Sequence, residues 1–338
     1  MSTARHYAKV LSALAAAALM SVVSVTVQAT PDDLKKYLRP EVKVPADNKI
    51  TPERVKLGKM LFFEPRLSGS NWISCATCHN PALGWSDGLP TAIGHNMKVL
   101  GRATPTILNS AYYRRLMWDG RMRSLEDQAT GPIQADVEMN QDMDLLIQEL
   151  KAIPGYVEMF EKAYPGEGIT EETVAKAIAT FERTIVATES PFDRWIKGDE
   201  DAMSTAAKRG FKVFEGKANC DACHQNHNFS DNGFHNIGVP NSDDPGRYKL
   251  IKVKVLKGAF KTPTLRDIEL TPPYMHNGAY DTLAEVVEHY NKGGVEKDNL
   301  DPNMKPLHLT EREKDDLVEF LKALTGEGRD ITVPKLPN

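Results

Sequence analysis

Cys75-Ala76-Thr77-Cys78-His79 is a C-x-x-C-H run, and a second copy stands at Cys220-Asp221-Ala222-Cys223-His224. Two thiols one helical turn apart add to the two vinyl groups of a haem, and the adjacent imidazole reaches the iron. Each run therefore marks a covalent c-type haem site. A lone C-x-x-C also suits a redox dithiol or half of a zinc site. Here all four cysteines of the chain are spent in the two runs, and the histidine at the fifth position is needed by neither alternative.

Attachment of c-type haem takes place outside the cytoplasm, and the amino terminus agrees. Arg5 and Lys9 precede an apolar run from Val10 to Val27, and Val27-Gln28-Ala29 ends it, which is the order of a secretory signal peptide cleaved after Ala29. The expected compartment is the periplasm, with no stable membrane insertion after cleavage. The net charge of −4 becomes more negative once Arg5 and Lys9 are removed, so nothing points to nucleic acid as a partner. Lysines gather at Lys249, Lys252, Lys254, Lys257 and Lys261 and read as a solvated face.

Helical signals dominate the rest. Thr51-Pro52 caps a helix carrying Val55, Leu57, Leu61 and Phe62, and Asp142 to Lys151 and Thr170 to Thr188 are helical by period. Ser204 caps another helix that stops at Gly216. Thr282-Leu283-Ala284-Glu285 and Thr310-Glu311-Arg312-Glu313 fit the capping box. The residues from Asn80 to Pro105 form a long loop of the kind that carries function. The expected fold is mostly α, two cytochrome-c-like haem domains with long loops and little strand. Residues 30–198 would form the first domain and 199–338 the second, with the boundary near Lys197 to Asp201. No internal repeat beyond the haem pair is visible.

Each iron takes His79 or His224 from its own run, and the opposite face decides what the haem does. For the second haem the candidate is Met304, on the proline-held loop Asp301-Pro302-Asn303-Met304-Lys305-Pro306, with Met275 as competitor. For the first it is His95, in Gly94-His95-Asn96, against the plain reading of a solvated loop histidine.

The set formed by the two haem runs, Gly94-His95, Thr104-Pro105-Thr106, Trp118-Asp119-Gly120-Arg121, Gly131-Pro132-Ile133 with Val137-Glu138-Met139, Thr262-Pro263-Thr264-Leu265-Arg266 and Pro273-Tyr274-Met275-His276-Asn277-Gly278 resembles the bacterial diheme cytochrome c peroxidases. The resemblance implies a division of labour. A high-potential haem on His224 and Met304 would take electrons from a small cytochrome or copper protein, and the low-potential haem on His79 would reduce hydrogen peroxide to water. It further implies Trp118 as the aromatic between the haems, Glu138 as distal acid and base, and Gln128 as a polar neighbour. His95 would block the first iron until the second haem is reduced. Arg266 and His276 would lie near haem propionates, and Thr271 and Pro273 would offer carbonyls to calcium. Ala103 departs from the pattern there, where many members have a calcium-binding Asn. Members are often homodimers. A related branch of diheme enzymes, which matures methylamine dehydrogenase by oxidising protein residues, is the alternative; its best-known member carries Tyr in place of Met at the second haem, so Met304 argues against it. A diheme electron carrier without catalysis is the third reading.

Overall fold

The computed structural model describes residues 33–328 and 332–338, so the expected signal peptide at 1–29 lies outside the described residues. Helices and turns make up the fold, and among the described residues the strands are two residues long: Phe234–His235 pairs antiparallel with Phe260–Lys261. The chain is mostly α, as the periodicity predicts.

Two apolar cores organise it. In the first, the Pro52–Phe62 helix crosses the Glu171–Glu182 helix, and Leu57, Leu61, Phe62, Val174, Ile178 and Phe181 are buried together. The crossing is so close that a Cβ on Gly58 would lie 2.0 Å from the Ala177 carbonyl oxygen. In the second, the Thr205–Glu215 helix crosses the Glu311–Lys322 helix, and a Cβ on Gly210 would lie 1.9 Å from the Asp316 carbonyl oxygen. Both capping boxes form, with Glu285 accepting from the Thr282 amide and Glu313 from the Thr310 amide.

The helix expected to run to Thr188 ends at Glu182, and Ser190 caps a new one, Pro191–Ile196, whose Phe192 and Ile196 sit in the second core. The chain therefore passes between cores upstream of Ser190. Pro191 supplies the reason, since the first helical position suits proline and Ser190 accepts from the Asp193 amide. The amino-terminal arm also belongs to the second core. Tyr37 is fully buried there and donates to Glu215, while Arg266, fully enclosed, spends its guanidinium on Asp193 and the carbonyls of His227 and Tyr37. The carboxy-terminal tail returns to the first half, where Arg66 donates to the Pro337 carbonyl.

The two halves repeat each other further than the haem runs. Ser86 donates to the Thr104 carbonyl at 2.8 Å and Ser230 to the Thr262 carbonyl at 2.7 Å. From Ala103 and Lys261 onward the numbering offset stays constant. Asn109 and Asp267 share a left-handed backbone, as do Met117 and Met275, and Gly120 and Gly278. The bridge Leu116–Met122 matches Tyr274–Tyr280, and the Leu125–Ala129 helix matches the start of the Leu283–Asn291 helix. The halves meet about a pseudo-twofold. Ala103 donates its amide to the His276 carbonyl at 2.7 Å, and Lys261 donates its amide to the Trp118 carbonyl at 2.8 Å, each bond the mate of the other.

Candidate haem sites

One continuous cavity of about 1750 Å³ reaches from Cys75, Cys78 and His79 to Cys220, Cys223 and His224. Drug-sized pockets hold about 300–1,000 Å³, so this space suits more than one small ligand. Its walls are largely apolar, including Ile73, Ile107, Ile178, Val286, Val287 and Leu321.

The haem runs are built alike. His79 donates through Nδ1 to the Trp85 carbonyl at 3.2 Å, and His224 donates through Nδ1 to the Phe229 carbonyl at 2.9 Å. With Nδ1 so occupied, each ring keeps Nε2 as its ligand atom, the second-sphere arrangement that fixes a metal-binding imidazole. Burial pulls both imidazoles down, favouring the neutral form that binds iron. All four thiols are free, and burial pushes Cys78 up to about 11 and Cys220 up to about 12. Four unjoined sulfurs, two oriented imidazoles and an apolar cavity fit two covalently held haems.

Of the residues implied for the first site, Glu138 and Gln128 line the cavity. Asp136, two positions before Glu138, is exposed, while Glu138 is half-buried, and burial raises its carboxyl above the usual range against the pull of Arg121. His95 is not brought in. It is absent from the cavity wall, its amide donates to the Glu138 carbonyl at 2.8 Å, and its Nε2 lies 3.2 Å from the Asn140 amide nitrogen. Gly94 before it packs on the Val137 carbonyl, and Asn96 and Met97 after it both take positive φ, which fixes the turn.

Trp118 stands at the junction. It lines the cavity, donates Nε1 to the Ala103 carbonyl at 2.9 Å, and lies edge-on to Phe260 and His276. His276 stacks on Phe260 with ring centroids 3.7 Å apart, and its Nε2 is 2.7 Å from the Ser242 hydroxyl. Burial pulls its imidazole down to about 4. Arg266 borders the cavity too, and donates to Asp193 and to the carbonyls of His227 and Tyr37.

Thr271 and Pro273 border the cavity. Ala103 has no side-chain oxygen and its carbonyl accepts from Trp118. Among the described residues the single cluster of metal-binding side chains is Cys223, Asp231 and His235, which includes a haem-attachment sulfur.

On the second haem's side Met304 lines the cavity from its loop, which His235 pins through Asp301 at 2.6 Å. Three further residues were not apparent from the sequence. Tyr290, on the Leu283–Asn291 helix, lines the cavity beside Cys220 and Cys223, and burial pushes its phenol up. By the repeat it is the mate of Pro132, which lines the first site. Glu182 reaches the cavity near Cys75 with Oε2 unpartnered, its carboxyl pushed up to about 8 by burial. Lys261, read above as part of a solvated lysine run, is buried.

A family profile described as di-haem cytochrome c peroxidase matches residues 52–201, and one described as cytochrome c matches 207–325. The chain is 49% identical over 322 residues to the methylamine utilization protein MauG of Methylorubrum extorquens, covering 93% of this chain and 91% of that protein. It is 35% identical over 298 residues to the cytochrome c551 peroxidase of Pseudomonas aeruginosa, covering 85% and 83%. A crystal structure of a MauG-like protein associated with microbial copper homeostasis superposes with a TM-score of 0.81 at 30% identity, covering 88% of this chain and 96% of that one. Paired C-x-x-C-H floors, a shared cavity and relatives matched along nearly their whole length place the chain in the di-haem cytochrome c peroxidase family, with haem c bound covalently in both halves.

Proposed function

We propose that the chain is an exported enzyme that reduces hydrogen peroxide at the first haem without prior reduction to open the site, and that it draws the two electrons from a protein donor by way of Trp118 and the second haem. The balance is one peroxide, two electrons and two protons to two waters. Haem bound on His79 supplies the iron at which the O–O bond breaks. Glu138 takes a proton from the inner peroxide oxygen and returns it to the outer one, and its raised acidity constant suits both directions. Gln128 orients the peroxide beside it. Export is supported by the amino-terminal charge and apolar pattern, and no helix among the described residues is long and apolar enough to cross a membrane.

The observation that carries this reading is the position of His95, which does not line the cavity although Gly94 before it does, and whose Nε2 is engaged by Asn140. A gate at His95, as the sequence suggests, needs the ring inside. The oxidised protein is therefore expected to show a high-spin first haem that reacts with peroxide directly, and His95→Gly should leave this unchanged. A first haem that is low-spin until one electron is added, and that His95→Gly opens, would overturn it.

Tyr290 favours a second reading, in which the electrons come from an amino-acid side chain of a partner protein. Tyr290 and Met304 are both half-buried and both line the cavity, but Tyr290 is held on a helix beside Cys220 and Cys223 whereas Met304 sits on a loop, which supports Tyr290 as the group facing the second haem. Tyr290→Phe should change the second haem's absorption and potential while Met304→Leu leaves them near the parent. A near-infrared thioether-to-iron band lost in Met304→Leu would assign Met304 instead.

A further inference from the structure

Lys261 is 8% exposed, lines the haem cavity, and has no carboxylate within ion-pair distance among the described residues. Its ammonium lies 3.3 Å from the centre of the Tyr113 ring, and Tyr113 in turn accepts the Thr264 amide through its hydroxyl. A ring face offsets part of the charge but does not replace water or an anion. The other cations of the junction are satisfied. Arg102 is bidentate to Asp244 and bonded to Asp119, and Arg247 donates to the Asp119 and Gly120 carbonyls. A buried ammonium without a counter-ion is costly, and burial alone pulls Lys261 down to about 7. The missing anion has to come from what fills the cavity.

We propose that Lys261 is the ion-pair partner of a propionate of the second haem, and that this pair sets the potential of that haem at its junction with Trp118. The backbone argues for the second haem. Lys261 runs directly into Thr262-Pro263, where the Thr262 carbonyl accepts from Ser230 and the Pro263 backbone hydrogen-bonds His224. The same residue's amide is bonded to the Trp118 carbonyl, so the ammonium, the propionate it holds and the indole share one short segment. The mate of Lys261 across the pseudo-twofold is Ala103, so the first haem lacks this cation at the equivalent place. The pair thus makes the two haems unequal by charge as well as by axial group. A fixed cation beside the second haem favours its reduced form.

The experiment is a spectroelectrochemical titration of both haems in the holoenzyme of the parent, Lys261→Met and Lys261→Arg. Lys261→Met should shift the second haem's reduction equilibrium at least tenfold toward the oxidised form, a drop of about 59 mV for a one-electron couple. Lys261→Arg, which keeps a cation, should stay within threefold of the parent. Potentials unchanged in Lys261→Met, or a shift confined to the first haem, would overturn the assignment. Where Lys261→Met does not accumulate with haem, resonance Raman of the parent and Lys261→Arg decides, since the propionate bending band moves when its partner changes from ammonium to guanidinium; an unmoved band overturns the proposal. The inference rests on haem occupancy and not on peroxide turnover, so either failure is seen without the other.

Discussion

Glu138 does its proposed work because its environment differs from that of Asp136 two residues earlier. One carboxyl faces the haem cavity and is raised by burial, while the other faces solvent. A base must be ionised to accept the peroxide proton, so peroxide turnover should fall as pH drops through the raised value, which lies above 4.5. Glu138→Gln should lower turnover by about 10²–10⁴ and abolish that acid limb; steady-state rates across pH check both. An acid limb retained in Glu138→Gln would move the proton work elsewhere. At this scale the sequence is most legible where chemistry is local: the cysteine spacing alone identifies Cys75, Cys78, Cys220 and Cys223. Lys261 shows the opposite case. It ends a run of lysines that looks like a wet surface, yet backbone pairing with Trp118 turns it inward, and no pattern along the chain carries that long-range bond. Tyr290 was hidden differently, as one more aromatic on an amphipathic helix.

Helix crossings hold each haem floor, and each crossing depends on one glycine. Gly58→Ala would press a methyl group into the Ala177 carbonyl, and Gly210→Ala into that of Asp316. Each should cost about 1–3 kcal/mol, read as a fall in the thermal or denaturant midpoint, because the helices must separate to admit the new atom. A substitution that left the midpoint alone would mean the crossing relaxes freely. A larger effect is expected at the buried pair of Asp193 and Arg266, where side-chain oxygens lie 2.9 Å from the guanidinium. Asp193→Ala strands that charge and should destabilise by about 3–5 kcal/mol in the same assay. Helices and caps were legible here because period and capping residues are local. The helix end at Glu182 was not, since Ile185 continues the apolar stripe in an extended segment that still packs in the core.

The two halves are coupled by a charged network and by exchanged chain ends. Arg102 and Asp119 from the first half meet Asp244 from the second, the amino-terminal arm packs in the second core, and the tail returns to Arg66. Arg102→Ala removes the shared cation from two partly or wholly buried carboxylates and should split unfolding into two calorimetric transitions. A single transition at lower temperature would show that the arm and tail suffice. The repeat across the halves escaped the sequence because the second half carries a longer insertion between Phe229 and Thr262, which shifts the matching blocks out of register. Its geometry has a further meaning. Mated bonds, Ala103 to His276 and Lys261 to Trp118, are the contact pattern of two identical subunits meeting face to face. The pattern is the one a one-haem homodimer fused in tandem would leave. Once fused, its copies were free to diverge, and the mates that no longer agree, Pro132 with Tyr290, Trp118 with His276 and Ala103 with Lys261, mark where one ancestral site became two.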